Sequence, residues 1–90
     1  MDDETFRYRP TCSVRGCEQS ARYKVAAPWT DGTRRELKNY GLACEAHRDA
    51  QRDLARDRRA RLNLAEGEAV GQVALFRLIP GALDAELLKA

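Results

Sequence analysis

Cys12-Ser13-Val14-Arg15-Gly16-Cys17 and, further along, Cys44-Glu45-Ala46-His47 hold every cysteine of the chain and its only histidine. Four residues separate Cys12 from Cys17, two separate Cys44 from His47, and twenty-six lie between the pairs. Two short pairs of thiolate and imidazole ligands flanking a longer loop are how a small chain encloses a tetrahedral metal ion, zinc above all. Cys12, Cys17, Cys44 and His47 are therefore the candidate metal ligands, one structural Zn2+ per chain is the expected cofactor, and no catalytic residue is assigned. Pro10 fixes the backbone just before the first ligand. Gly16 supplies the freedom a turn needs to bring two sulfurs toward one ion.

Outward from these pairs, the intervening residues read as a hairpin. Ala21, Tyr23 and Val25 alternate with Arg22 and Lys24, the period of a half-buried strand. Pro28 is expected to end that strand, and Thr30-Asp31-Gly32-Thr33 to form a turn with Gly32 at positive φ. A return strand follows over residues 36–42. Trp29, beside the turn, is expected to pack over Tyr23 or Tyr40 across the hairpin rather than to stack on a ligand.

Beyond Gly41 the pattern turns helical, with neither Gly nor Pro over residues 43–63. On a helical wheel Ala43, Cys44, His47, Ala50, Leu54 and Leu62 share one side, which makes the ligand face the expected core face and places Cys44 and His47 in the first helical turn. The opposite side carries Arg48, Arg52, Arg56 and Arg59 beside Glu45, Asp49, Asp53 and Asp57. Pairs of opposite sign at i,i+3 and i,i+4 offset much of that charge, so the stripe reads as a solvated face, and only Arg56, Arg58, Arg59 and Arg61 stand out as net basic. The apolar run over residues 70–79 predicts a buried strand, free to join the hairpin or to pair with a second copy of itself. Residues 84–90 suit a short final helix. Residues 1–9 read as an arm or a short edge strand.

Ninety residues with a formal charge of +2 and a mean hydropathy of −0.63 fit one domain with a small core, 1–90, divided into a metal module over 12–62 and a strand-helix extension over 68–90. Structural zinc contributes on the order of 10–16 kcal/mol of apparent binding free energy, more than the net stability of a typical domain, so folding is expected to depend on it. The acidic amino terminus has no apolar segment and no run is long enough to span a membrane, which points to a reducing, cytoplasmic setting.

A metal-binding turn, a hairpin and a helix that supplies the last ligands, in that order, resemble a treble-clef zinc finger over roughly residues 12–62. The stretch from Ala21 to His47 is also similar to small uncharacterised bacterial proteins with the same Cys/His pattern. The resemblance implies an α+β fold and a structural site; treble clefs serve in nucleic-acid binding, protein interaction and, in one branch, nuclease chemistry. The nuclease branch needs further histidines, a three-Cys, one-His site leaves no coordination position for water, and the cysteine spacings do not match those of iron–sulfur proteins. An enzyme is not expected. Two readings remain: a protein-interaction or self-associating module, motivated by the apolar run at 70–79, and a nucleic-acid-binding finger using Arg34, Arg35 and the Arg-rich helix end. The modest net charge favours the first.

Overall fold

The computed structural model describes residues 10–79 and 88–89. It is an α+β arrangement in which a twisted antiparallel sheet is crossed on one face by a single helix. The elements run β1 (Tyr23–Thr30), β2 (Arg35–Ala43), α1 (Arg48–Ala60), β3 (Ala69–Val70), β4 (Ala74–Arg77) and β5 (Leu88–Lys89). Strand order is β2-β1-β4-β5, with β3 also on β1, so β1 is central and β2 forms an edge.

The β1–β2 hairpin forms where the alternation predicts it, and Gly32 in its turn has φ +94°. The Asp31 carboxylate fixes this turn by accepting from the backbone N–H of Thr33 at 2.8 Å and of Arg34 at 2.7 Å. Those two bonds, chiefly the one from Arg34, hold its carboxyl below the usual range. Register shifts by one residue between Val25 and Ala26, so that Tyr40 bulges from β2.

β1 does not stop at Pro28 but continues to Thr30. The Pro28 carbonyl accepts from Gly71 N–H on the β3 side, so the missing proline donor also lies on that side. There the ladder is already interrupted between β3 and β4, and the proline sacrifices no bond to β2.

The apolar run at 70–79 is likewise two short strands rather than one, and both pair with β1: Trp29 with Val70, and Tyr23 to Ala26 with Arg77 to Ala74. Self-pairing of this run between two chains, one of the expectations from sequence, is thereby displaced, because its hydrogen-bonding partner is β1 of the same chain. Leu88 and Lys89, expected within a final helix, instead extend the sheet beside Arg77 and Phe76. The rest of that expected helix, and the expected arm at 1–9, lie outside the described residues.

The helix is shorter than the composition suggests. It begins at Arg48, with His47 as its N-cap, so Cys44 and His47 lie in the turn that leads from β2 into α1 rather than in the first helical turn. Starting the wheel at residue 43 misplaces the buried face: Ala50 and Leu54 are exposed, whereas Ala55 is buried and Gln51, Arg59 and Leu62 flank it at helical spacing. Ala55 packs into a cluster with Tyr23, Val25, Ala27, Ala43, Val70 and Val73, and Trp29, Tyr40, Leu62 and Leu75 lie against it. Trp29 also donates from Nε1 to Glu68 at 3.2 Å and carries the Arg34 guanidinium 5.8 Å above its ring.

Arg59 departs from its expected place on a solvated face. Its guanidinium turns inward and donates to the carbonyls of Gly71 at 2.5 Å and Val70 at 2.8 Å, tying the helix to the break between β3 and β4. Hydrogen bonds from a charged donor to buried-side carbonyls are worth about 1.5–3 kcal/mol. Arg59→Met is expected to cost about 2 kcal/mol in chemical denaturation, while Arg58→Met, one residue away on the exposed side, changes stability by less than about 0.5 kcal/mol.

Candidate metal centre

The turn carrying the first two ligands is built by local hydrogen bonds. Thr11 bridges to Ser20, Cys12 N–H donates to Gln19 O at 3.0 Å, and Cys17 N–H donates to Val14 O at 2.9 Å, closing a tight knuckle. Gly16 makes the reversal with φ +84°, a conformation that residues with a Cβ rarely adopt. Ser13 fastens this knuckle to the end of β2: its N–H donates to Leu42 O at 2.9 Å, and its hydroxyl accepts from Leu42 N–H at 2.8 Å. Gln51, from α1, adds a bond to the same carbonyl at 3.3 Å.

The second pair follows directly on β2. Cys44 comes after the fully buried Ala43, and His47 N–H donates to Cys44 O at 3.2 Å, so one reverse turn brings both side chains to the knuckle. Tyr23 braces that turn. Its hydroxyl donates to Glu45 Oε1 at 2.8 Å, and Arg48 lies 5.9 Å above its ring while pairing with Glu45 Oε2 at 3.3 Å. From sequence, Glu45 and Arg48 read as one more surface pair and Tyr23 as a core residue. The bracing contacts of Ser13, Gln51 and Tyr23 span nine to twenty-nine residues and have no signature in local spacing.

All four sequence-predicted ligands meet: one donor atom from each of Cys12, Cys17, Cys44 and His47 lies within 4.8 Å of the others. They are close enough to bind one metal ion. Cys17 Sγ is 3.9 Å from Cys44 Sγ, too far for a disulfide and in keeping with three free thiols. Nδ1 of His47 is 3.6 Å from Cys12 Sγ and 3.3 Å from Cys44 Sγ. A tetrahedral ion with metal–sulfur bonds of about 2.3 Å and metal–nitrogen bonds of about 2.0–2.1 Å requires sulfur–sulfur separations of about 3.8 Å and sulfur–nitrogen separations of about 3.6 Å. The separations of 3.9, 3.6 and 3.3 Å lie close to those values and the remaining pairs fall within 4.8 Å, with Nδ1 as the nitrogen turned toward the sulfurs.

The electrostatics fit as well. Burial pushes the Cys12 thiol up, but hydrogen bonds from the Val14 and Cys44 backbone, together with His47 and the Cys44 side chain, outweigh it and bring the pKa to about 7. For Cys17, a backbone bond at Gln19 works toward the thiolate, yet desolvation and the neighbouring sulfurs prevail and raise it. Thiols this close cannot all ionise without a cation among them; a bound metal supplies that charge and deprotonates its ligands outright. The cluster also sits at the N-terminal end of α1, where the helix dipole favours anions.

No protein-family model, curated protein or solved structure matches the chain. The metal-binding reading therefore rests on the ligand geometry itself. Among the described residues no helix is long and apolar enough to cross a membrane.

If the cluster is tetrahedral with three sulfurs and one nitrogen, Co2+ added to the metal-free protein gives intense visible d–d bands and a thiolate charge-transfer band at one equivalent. Weak, octahedral-type absorption would contradict the geometry. Acidification is expected to release the ion, because each thiolate it binds must then take up a proton.

Proposed function

We propose that Cys12, Cys17, Cys44 and His47 hold one structural zinc ion, and that the chain is a treble-clef-like, non-enzymatic module whose zinc fixes a surface for interaction with other proteins. The observation that carries this reading is the convergence of three thiols and one imidazole nitrogen at tetrahedral separations. Such a donor set suits zinc, and four protein ligands complete its usual structural coordination, with no position kept for water or substrate. The order knuckle, hairpin, ligand turn and helix supports the treble-clef likeness.

The alternative, a nucleic-acid-binding finger, draws less from the surface. Arg56 pairs with Asp53 at 3.7 Å and Arg61 with Asp57 at 3.2 Å, while Arg59 is engaged with backbone carbonyls. Of the four arginines at the helix end, only Arg58 has neither a carboxylate nor a carbonyl partner among the described residues. Counterion release needs several free cations on one face, and this end of the helix does not offer them.

Elemental mass spectrometry on protein purified without a metal-binding tag tests the proposal, and one zinc per chain is expected. Cys44→Ser is expected to lose the metal and, with it, cooperative unfolding, since the binding free energy of a structural zinc, on the order of 10 kcal/mol, rivals a whole domain's stability. A Cys44→Ser protein with the parent's melting curve would contradict a structural role.

A further inference from the structure

β2 is an outer strand of the sheet, and half of its outer edge is already closed. At Leu42 the knuckle residue Ser13 takes both the carbonyl and the N–H, and the bulge at Tyr40 breaks the pleat just before it. Residues 35–39 differ. Pro28 gives its carbonyl to Gly71, so Pro28 and its partner Leu37 form a non-hydrogen-bonded pair, and the N–H and C=O of Leu37 point away from β1. By the period of two, the same groups of Arg35 and Asn39 point outward too. Among the described residues nothing bonds to them on that side.

An open edge is a template for another strand, and a lysine on it ordinarily discourages pairing. Here the charges are self-complementary. In an antiparallel pairing of two such edges about a two-fold axis through Leu37, Leu37 exchanges both backbone bonds with its counterpart, and Arg35 and Asn39 exchange theirs with each other. Glu36 then stands directly opposite the partner's Lys38, and Lys38 opposite the partner's Glu36, at a spacing where opposite charges attract. Registers centred on Glu36 or on Lys38 instead place like charges face to face. Within the chain, the Glu36 side chain is 58% exposed and forms an ion pair with Arg34 at 4.0 Å, while Lys38 has no carboxylate partner among the described residues. The bulge and the knuckle end the pairing beyond Asn39, so it closes as a dimer.

We infer that the partner of this module is a second copy of itself, joined edge to edge through residues 35–39 of β2 into one continuous sheet. The inference rests on the interaction-module reading but not on the identity of the metal. Sedimentation equilibrium on the zinc-loaded full chain, at concentrations up to about 1 mM, the weak end of measurable association, is expected to show a monomer–dimer equilibrium. Leu37→Pro removes only an outward-facing donor on an edge strand, so it is expected to keep the zinc content and the circular dichroism of the parent while abolishing the dimer. Glu36→Lys is expected to weaken association about tenfold or more by opposing like charges twice, and adding Lys38→Glu to restore it. Monomer at every concentration, or a dimer indifferent to Leu37→Pro and to Glu36→Lys, overturns the inference. Either result with zinc still bound at one per chain leaves the structural-zinc reading standing.

Discussion

Three thiols and an imidazole held within 4.8 Å of one another are a liability to a folded chain unless a cation lies between them. Mutual repulsion opposes carrying three negative charges on neighbouring sulfurs at once, and protonated thiols contribute only weak contacts. The rest of the structure nevertheless directs them together. Ser13 pins the knuckle to β2, the Glu45–Tyr23–Arg48 contacts brace the second ligand turn, and α1 starts at the last ligand. An arrangement so fully supported at this one point makes sense as a metal centre.

The remainder of the core shows why the centre matters. Of the twelve hydrophobic residues buried among those described, five are alanines and two are the candidate ligands Cys12 and Cys44, and Val25 is the only large side chain wholly enclosed there. Alanines let β1 and α1 approach closely but remove little apolar surface from water. At about 25 cal/mol per Å2, such a core leaves a small chain near the margin. A metal held by these four side chains would join the knuckle, the end of β2 and the start of α1, and its binding free energy would be shared by the hairpin and the helix together.

The clustering of Cys12, Cys17, Cys44 and His47 and the hairpin are legible in the sequence because both follow from local chemistry: residue type and spacing for the first, alternation and an Asp-Gly turn for the second. What could not be read locally was decided by tertiary pairing. Pro28 looks like a strand terminator, yet it is tolerated because its donor-less side meets a gap in the ladder, a fact set by β3 and β4 some forty residues away. The helical wheel failed at Ala50 and Leu54 because its phase was anchored on Cys44 and His47, which belong to a turn. Arg59 looked like its arginine neighbours, and only the position of the carbonyls of Val70 and Gly71 distinguishes it. The partner of the 70–79 run is open from sequence, and in the structure it is β1 of the same chain.

The proposed dependence of the fold on a bound ion is tested most directly by recording backbone amide spectra of the isotope-labelled, zinc-loaded protein before and after treatment with a strong chelator, under reducing conditions. The account predicts that dispersed resonances of β1, β2 and α1 collapse together and return when one equivalent of zinc is restored. Dispersion that survives chelation across the hairpin and the helix would contradict it.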